Sequence, residues 1–364
     1  MKSVLDVLDL TTGELDELIR TAEDIIRDPA KYAHAADGKK LATLFFEPST
    51  RTRMSFEAAM YELGGHVISV TGAGASSAAK GESVADTAKT VSNYVDIIAQ
   101  RHPKEGSALV SAMHATVPVI NAGDGGHCHP TQTLADLLTI WREKGRFDHL
   151  NVGLCGDLKF GRTVHSLINA LSRYPGNRFY LISPPELKVP SYVKKAALKD
   201  KDIPYVQTVD MDECMPELDI LYMTRIQRER FGDEAEYERL KDTYILTPAK
   251  LKTAKADLAI LHPLPRVNEI SVAVDDDPRA CYFKQVLYGK YMRMALILKL
   301  LKEAETEKGV ARTVDFTGSE YVRGLLRCEN PRCITTTEQE LPHVFRRDSA
   351  GTLRCVYCEA RKSE

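Results

Sequence analysis

Short apolar runs alternate along the chain with longer stretches that have helical periodicity. The runs form two blocks of four, at residues 40–46, 67–70, 95–99 and 117–121 and at residues 152–155, 178–182, 220–222 and 258–261. Strands that alternate with helices favour parallel sheets covered by helices. The pattern therefore predicts an α/β protein with two doubly wound parallel-sheet domains, a connecting helix at residues 131–141 and a long amphipathic helix at residues 285–301.

The loop after the first run is crowded with anion-binding groups, because Ser49, Thr50, Arg51, Thr52 and Arg53 follow one another. The next residues suit a helix with Ser49 as its predicted N-cap. Backbone N–H groups at the helix start, hydroxyls and guanidinium groups would converge on one place, as a phosphate requires. The alternative is a capped surface helix with solvated arginines. The chain lacks the Gly-x-x-x-x-Gly-Lys-Ser/Thr loop of NTPases, so the anion need not be a nucleotide.

Other polar residues also follow the predicted strands of the first block. Lys80 lies in a loop of small residues, Arg101 precedes His102, and His129 and Gln132 flank the start of the connecting helix. Functional groups of open α/β sheets gather at the carboxyl ends of the strands, so we expect these side chains in a crevice between the blocks. Taken alone, the loop around Lys80 is more typical of a disordered surface loop, and His129 taken singly could be a structural cap.

The second block adds two arginines immediately after strands, Arg162 and Arg225. Each could bind a carboxylate through a bidentate fork, so the inventory suits a phosphate on one side and a dicarboxylate on the other. The glycines of residues 156–161 are only loosely similar to a dinucleotide fingerprint, because Gly-x-Gly-x-x-Gly is missing. Neither a Ser/His/Asp set nor a carboxylate pair is evident, which favours catalysis by positioning and charge stabilisation.

Composition and charge exclude several classes of protein. The 364 residues suggest two or three domains, and a formal net charge of −2 gives no global field for nucleic acid or membrane. No run approaches the ~20 apolar residues of a spanning helix. The N-terminus lacks a basic region followed by an apolar core, and Thr11 with Glu14 predicts a capping box instead. We therefore expect a cytoplasmic protein.

Four of the eight cysteines lie together near the C-terminus, at Cys328, Cys333, Cys355 and Cys358. Their C-x4-C and C-x2-C pairs, with 21 residues between them, predict a structural zinc site. Disulfides are the alternative, which a reducing compartment disfavours. The span between the pairs, including residues 335–337 and 344–345, predicts short antiparallel strands that need the metal to form a core. A nucleic-acid-binding zinc ribbon is a further alternative, with phosphate contacts from Arg327, Arg332, Arg346, Arg347 and Arg354.

Seven motifs now occur in order: Ser-Thr-Arg-Thr-Arg, Ser-x-x-x-Lys-Gly-Glu, Arg-His-Pro, His-Pro-Thr-Gln-Thr, Gly-Asp-Leu-Lys-x-Gly-Arg-Thr, Met-Thr-Arg-x-Gln and His-Pro-Leu-Pro-Arg. Residues 1–305 thereby resemble the catalytic chain of the aspartate carbamoyltransferase family. Residues 327–360 resemble the zinc domain of the family's separate regulatory chain. The chain thus resembles a natural fusion of the two.

The resemblance implies transfer of a carbamoyl group from carbamoyl phosphate to L-aspartate, an early step of pyrimidine synthesis, with no metal in the chemistry. Ornithine carbamoyltransferases typically have His-Cys-Leu-Pro where this chain has Pro263 and Leu264 after His262. Met223 to Gln227 also supplies the cation that an acidic second substrate needs. Both features favour aspartate over ornithine. A catalytically dead scaffold is disfavoured, because none of the matched site residues is missing.

The resemblance also assigns roles to individual residues. Carbamoyl phosphate would be held by Ser49, Thr50, Arg51, Thr52, Arg101, His129, Gln132, Pro263 and Leu264. Arg51 would stabilise the leaving oxygen, and Thr52, Arg101 and His129 would polarise the carbonyl. Aspartate would be held by Lys80, Arg162, Arg225 and Gln227. Ser76 and Lys80 would come from a neighbouring subunit, so the working unit would be a homotrimer or a dimer of trimers.

The expected domains are residues 1–135 for carbamoyl phosphate and 136–284 for aspartate, then a linker at 304–318 and the zinc module at 319–364. The helix at 285–303 would pack back on the first domain. Two departures from the family are visible. Ala79 precedes Lys80 where relatives often have a second lysine, and the linker is too short for a nucleotide-binding domain. We therefore expect the module to dock without transmitting a nucleotide signal, and no nucleic acid or membrane partner.

Overall fold

The structure, a computed structural model, describes residues 2–72, 74, 77–226, 234–306, 314, 316–338, 340–348 and 351–362. Within these residues, no helix has both the length and the apolar character needed to cross a membrane. The chain forms two compact units. One contains Met1–Thr131 and Lys290–Glu364, and the other contains Gln132–Gly289.

The described elements alternate as the apolar pattern predicts. The strands are β1 (Lys40–Phe45), β2 (His66–Thr71), β3 (Ile97–His102), β4 (Val119–Asp124), β5 (Asn151–Cys155), β6 (Arg178–Ile182), β7 (Tyr205–Thr208), β8 (Ile220–Met223), β9 (Ala259–Leu261), β10 (Tyr321–Arg323), β11 (Val344–Arg347) and β12 (Leu353–Cys355). The helices are α1 (Thr12–Arg27), α2 (Thr50–Glu62), α3 (Val84–Val91), α4 (Ser107–His114), α5 (Pro130–Lys144), α6 (Arg162–Leu171), α7 (Ser191–Ala197), α8 (Met211–Cys214), α9 (Glu234–Leu240) and α10 (Tyr282–Thr306).

The first unit contains a parallel sheet with the strand order β2-β1-β3-β4. The four predicted runs are present, but β3 begins at Ile97. The apolar run begins earlier because Val95 joins the hydrophobic cluster of Leu44 before the strand starts. Strand order reverses between β1 and β3, where Phe45 pairs with Arg101. The loops after β1 and β3 therefore emerge side by side, at the point where open α/β sheets bind ligands.

The second unit contains a five-stranded parallel sheet in the order β7-β6-β5-β8-β9. The fold prediction of two parallel-sheet α/β domains is thus confirmed, although β7 was missing from the predicted runs. This short edge strand is only half-buried along its length, so its apolar signal is weak. Strand order reverses between β5 and β8, where Cys155 pairs with Met223.

The C-terminal residues form a small antiparallel sheet, β10-β11-β12, as predicted for this module. The predicted strand at residues 335–337 is wrong, because Ile334–Thr336 form a 3-10 turn. Threonine hydroxyls bond back to the main chain there, from Thr336 Oγ1 to the Cys333 carbonyl at 2.7 Å and from Thr337 Oγ1 to the Ile334 carbonyl at 3.0 Å. Such local bonds compete with strand pairing. The predicted linker and the turn at 348–351 lie partly outside the described residues.

The C-terminal half of α10 is anchored within the first unit. Arg293 donates from Nη1 to Ser55 Oγ at 3.0 Å and from Nη2 to Thr131 Oγ1 at 3.3 Å. Its guanidinium group also lies 5.1 Å from the centre of the Phe56 ring. Arg293 therefore ties α10 to α2 and to the start of α5.

Candidate active site and metal centre

The predicted phosphate loop lies between β1 and α2. Ser49 occupies the N-cap position as predicted, but among the described residues its hydroxyl does not cap the helix. The Ser49 carbonyl accepts the first helical bond, from Arg53 N at 3.3 Å. The N–H groups of the first turn, which have no intrahelical acceptors, lie beside the half-buried Ser49 and the buried Thr52 side chains. This helix start can bind an anion through main-chain N–H groups, hydroxyls and the helix dipole.

Arg101 lies at the end of β3, next to the phosphate loop. Its Nε is 3.3 Å from Glu47 Oε2, and its Nη1 donates to the Ala122 carbonyl at 3.3 Å. The side chain is only 11% exposed. Main-chain pairing reinforces the arrangement, because Phe46 N donates to the Arg101 carbonyl at 2.9 Å. These contacts fix the guanidinium group of Arg101 at the point where the strand order of the first sheet reverses.

His129 ends a loop that Asp124 organises. Asp124 accepts from Cys128 N at 3.0 Å, and its other oxygen lies 3.0 Å from His127 Nδ1. Burial acts to raise the pKa of Asp124, but His127 and several hydrogen bonds lower it overall. Glu359 of the C-terminal module lies 3.8 Å from His127 Nε2. His129 itself is buried at the end of this hydrogen-bonded loop. The roles of Asp124 and His127 were missed from the sequence, where only the Asp-Gly turn after β4 hinted at them.

Three of the predicted site residues, Ser76, Lys80 and Gln227, are only partly covered by the described residues. Lys80 ends a 3-10 turn at Ser77–Lys80 and is exposed on the first unit. Ser76 and Gln227 lie outside the described residues.

The second unit brings Arg162 and Arg225 to its own switch point. Arg162 is the first residue of α6, and Arg225 follows β8. The approach of the two loops requires Gly156, whose φ is +118°, because a Cβ there would lie 2.3 Å from the Thr224 carbonyl oxygen. A helix start and two guanidinium groups at one sheet end suit a ligand with two carboxylates.

Gln132 and the Pro263–Leu264 turn, which were predicted to bind the carbamoyl group, also lie in the second unit. Gln132 is in the first turn of α5, and Pro263 and Leu264 follow β9. All three are half-buried. Leu264 has a φ of +51°, in the left-handed region, and its N–H donates to His262 Nδ1 at 2.8 Å.

The four C-terminal cysteines form a candidate metal centre. All eight cysteines are described and are free thiols, and the four Sγ atoms lie within 4.8 Å of one another. Cys328 and Cys358 sulfurs are 3.6 Å apart, and Cys333 and Cys355 sulfurs are 3.8 Å apart. Sulfurs bound tetrahedrally at ~2.3 Å from one zinc ion would be ~3.8 Å apart, so this donor set fits a structural metal.

Glu105, at the turn before α4, contacts the module directly. Its Oε2 accepts from Asn330 Nδ2 at 2.6 Å. Its main chain forms two further bonds, from Glu105 N to the Arg332 carbonyl at 2.8 Å and from Ile334 N to the Glu105 carbonyl at 2.9 Å. Its Oε1 accepts from Gly126 N, in the loop that leads to His129, at 3.2 Å. One carboxylate therefore touches both the metal module and the His129 loop.

Close packing adds to this contact. Gly106 has a φ of +86°, and a Cβ there would lie 2.5 Å from Tyr357 Cβ. Val84 N, at the start of α3, donates to Glu338 Oε1 at 2.5 Å, and both residues are buried. The cysteines share a hydrophobic cluster with Val84 and Val110. The module is therefore packed on the α3–α4 side of the first unit.

Three family profiles match the chain. They describe the aspartate/ornithine carbamoyltransferase carbamoyl-P binding domain over residues 2–142, the Asp/Orn binding domain of the same family over residues 148–300, and the aspartate carbamoyltransferase regulatory chain metal binding domain over residues 320–364.

Similar proteins and structures point the same way. An aspartate carbamoyltransferase catalytic subunit from Lachnoclostridium phytofermentans is 59% identical over 307 residues, which are 84% of this chain and 100% of the relative. One from Clostridium botulinum strain Langeland is 59% identical over 82% of this chain and 98% of its own length. The M. jannaschii catalytic subunit superposes with a TM-score of 0.79 at 45% identity, over 84% of this chain and 99% of that one. A Trypanosoma cruzi aspartate transcarbamoylase in complex with carbamoyl aspartate and phosphate superposes with a TM-score of 0.77 at 38% identity. The match covers 82% of this chain and 96% of that one.

Proposed function

The chain belongs to the aspartate/ornithine carbamoyltransferase family, and from this premise we propose how its residues carry out the reaction. The enzyme is a carbamoyltransferase that converts carbamoyl phosphate and L-aspartate to N-carbamoyl-L-aspartate and phosphate in pyrimidine biosynthesis. The observation that carries the residue assignment is that each sheet places arginines and a helix start at its switch point.

The first unit binds and activates carbamoyl phosphate. Ser49, Thr50 and the α2 start hold the phosphoryl group, and Arg51 stabilises the negative charge on the oxygen that leaves with it. When the aspartate amine attacks the carbamoyl carbon, the carbonyl oxygen becomes an oxyanion. Thr52, Arg101 and His129 stabilise that charge, since preorganised donors act most strongly where charge develops. The C–O bond to phosphate then breaks, its electrons leave with the phosphate, and the proton that the attacking nitrogen loses passes to the departing phosphate. No covalent enzyme intermediate is needed.

The residues that we propose for aspartate and for the carbamoyl amino group belong to the second unit. Arg162, Arg225 and Gln227 bind the aspartate carboxylates, and Gln132 with Pro263 and Leu264 receives the carbamoyl amino group. Support for aspartate over ornithine comes from these cations, because an α,δ-diamino acid offers no second carboxylate for them. Fixed geometry of this kind converts a bimolecular attack into an effectively unimolecular one.

The working assembly in this proposal is a homotrimer or a dimer of trimers, in which Ser76 and Lys80 serve a neighbouring subunit. The exposed position of Lys80 suits such a role. Met54, Tyr61 and Ile68 on α2 and β2 are also exposed large apolar side chains, as expected at a subunit contact.

The C-terminal module makes the chain a fusion of catalytic and regulatory-type parts, with a Zn²⁺ ion held by Cys328, Cys333, Cys355 and Cys358. The ion would fix the fold of the small sheet and take no part in the chemistry. None of the eight cysteines is in a disulfide, which suits a reducing compartment, so we place the enzyme in the cytoplasm. Arg354, a candidate nucleic-acid contact, is engaged by Asp348 at 3.0 Å, which favours docking as the module's role.

We also propose the domain limits expected from the sequence, at residues 1–135, 136–284 and 319–364 with a linker at 304–318. These limits assign Gln132 to the carbamoyl-phosphate domain, although Gln132 is the first residue of the second compact unit.

Binding of N-(phosphonacetyl)-L-aspartate, the ligand of one T. cruzi structure, tests the residue assignment because it combines a phosphonate with a dicarboxylate. Arg51→Lys and Arg162→Lys should each weaken its binding about a hundredfold, since lysine cannot form the bidentate fork. Inorganic phosphate should bind more weakly only to Arg51→Lys. Arg53→Lys is the matched control, because Arg53 faces Glu57 on the same helix at 3.9 Å. Equal effects of Arg51→Lys and Arg53→Lys would contradict the assignment.

A further inference from the structure

Asp136 is a buried carboxylate that the reaction itself does not use. It lies on α5, is 0% exposed and accepts two amide groups on Oδ1, from Gln132 Nε2 at 2.8 Å and from Gln285 Nε2 at 2.5 Å. Both glutamines therefore present their NH₂ groups to the same carboxylate oxygen. Their carbonyl oxygens consequently point away from Asp136. Gln132 Oε1 is thereby left as an acceptor on the side opposite Asp136.

Gln285 connects Asp136 to the residue that follows β9. Its Oε1, turned away from Asp136, accepts from His262 N at 3.0 Å. The two ends of one buried amide therefore link α5 to His262. Removal of either end would leave a buried polar group without its partner.

His262 is held in one tautomer by its neighbours. Its Nδ1 accepts from Leu264 N at 2.8 Å and so carries no proton, while Nε2–H donates to Glu269 Oε1 at 2.7 Å. The other Glu269 oxygen accepts from Val267 N at 2.9 Å. Both ring nitrogens of His262 are thus engaged, and the side chain is 1% exposed. His262 is built to hold the adjacent turn rather than to exchange protons with a substrate.

The turn that His262 holds is the one that presents Pro263 and Leu264. In the trans peptide between them, the Pro263 carbonyl points opposite to the Leu264 N–H. Because that N–H is bound to His262 Nδ1, the Pro263 oxygen faces away from the histidine. Leu264 has a φ of +51°, which side chains rarely adopt, and the bond to His262 keeps it there.

We propose that Asp136, Gln285 and His262 are positioning residues that make the enzyme selective for the amino group of carbamoyl phosphate. They orient Gln132 Oε1 and the carbonyl of Pro263 as a set of hydrogen-bond acceptors. The carbamoyl group has two N–H bonds to donate to such a set. A phosphate whose acyl group ends in CH₃ has none, and would leave the acceptors unpaired. This inference rests on the proposed function.

Acetyl phosphate is the appropriate probe, because it replaces the NH₂ of carbamoyl phosphate by CH₃ and keeps the carbonyl and the phosphate. A site built to hydrogen-bond one substrate group rejects an analogue that lacks it. The binding constants of the two phosphates should be measured by calorimetry on the full chain, for wild type and for Gln285→Leu, Asp136→Leu and Asp136→Asn. Asp136→Asn retains an oxygen that can accept both amides.

The wild-type enzyme should bind carbamoyl phosphate at least tenfold more tightly than acetyl phosphate. Gln285→Leu and Asp136→Leu should reduce this preference about tenfold, by weakening carbamoyl phosphate and leaving acetyl phosphate within about twofold. Asp136→Asn should restore most of the preference. Asn177→Ala is the control for general damage, since buried Asn177 bonds Leu150 N and the Phe147 carbonyl in the same unit. It should lower the unfolding temperature and keep the preference.

Equal weakening of both phosphates by Gln285→Leu, in a variant that still unfolds cooperatively, would show a merely structural network and overturn the inference. An unchanged preference would overturn it as well. Equal weakening and an unchanged preference are both results of binding measurements. Either could be found for an enzyme whose wild type carbamoylates aspartate, so neither would contradict the proposed function. Failure of the proposed function would appear differently, as wild-type enzyme without aspartate-dependent phosphate release.

Discussion

The Glu105 carboxylate accepts a hydrogen bond from Asn330 Nδ2 at 2.6 Å, between the turn before α4 and the metal module. Glu105 is 8% exposed, and its second oxygen accepts from Gly126 N. A buried carboxylate with both oxygens engaged is costly to remove, because its donors then lose their partner. Removal of this one side chain should therefore weaken the docking of the module, which the main-chain bonds of Glu105 and the Val84–Glu338 bond also support.

Glu105→Ala should loosen the module from the first unit and lower the free energy of unfolding by about 1–3 kcal/mol. Limited proteolysis at residues 319–364 and chemical denaturation would measure the two effects. Glu340→Ala, which removes an exposed carboxylate from the module, is the control. Equal protease sensitivity of the two variants would mean that Glu105 does not hold the module.

Removal of the metal should unfold the small sheet first. Chelation, or Cys355→Ser, takes away the ion that brings four sulfurs together, and this sheet has a small core of its own. We expect amide hydrogen exchange to rise sharply in β10, β11 and β12 while β1 and β3 stay protected, and the assembly to loosen. A metal-free protein that keeps its exchange protection, assembly and stability would refute the docking role.

The stability of the first unit should depend on pH through His102. Burial lowers the pKa of His102 to about 4, and its Nδ1 accepts from Lys104 N at 3.0 Å. The unfolded chain, with a histidine pKa of ~6.5, takes up the proton first as the pH falls. The stabilisation is therefore full above pH ~6.5 and is lost as the pH falls to about 4, by at most about 3 kcal/mol.

Denaturation curves between pH 7 and pH 4 test this. His102→Asn should lose less stability over that interval than wild type does, because no buried imidazole remains to be protonated. His34→Asn, at a side chain that is 84% exposed, controls for loss of a surface imidazole. Parallel curves for wild type and His102→Asn would rule out His102 as the cause.

Gly156→Ala should damage the aspartate side of the enzyme. The added Cβ would lie 2.3 Å from the Thr224 carbonyl oxygen, and the residue would have to keep a φ of +118°. The loops that follow β5 and β8 must therefore move apart. We expect a loss of about 2–4 kcal/mol in the free energy of unfolding and a higher KM for aspartate. Gly145→Ala, with φ of +67° and open space around the Cβ, should cost only about 1 kcal/mol. Similar losses for both variants would argue against the close approach.

Local patterns were sufficient to predict most of the fold. The Thr11 capping box and the Ser49 helix start follow from residues within a few positions of each other, and both are present. Parallel strands buried on both faces give continuous apolar runs, which is why β1 and β5 were found. The half-buried edge strand β7 lacks such a run, and threonine-rich residues 335–337 have strand propensity that local hydrogen bonds override.

Contacts between distant parts of the sequence were not predictable in the same way. Gln285 lies 149 residues from Asp136, and Asn330 lies 225 residues from Glu105. Nothing local marks such a pair, because each partner alone resembles an ordinary surface residue. The motifs identified the residues that we propose to contact the substrates. The residues that position them, such as Asp136 and Gln285, could be identified only from the structure.

The most direct test is a competition assay with carbon-13 carbamoyl phosphate and equal concentrations of aspartate and ornithine in one tube. NMR would identify the carbamoylated product. The account predicts N-carbamoyl-L-aspartate as the essentially exclusive product, formed in proportion to phosphate release. Citrulline as the main product, or phosphate release without either product, would contradict it.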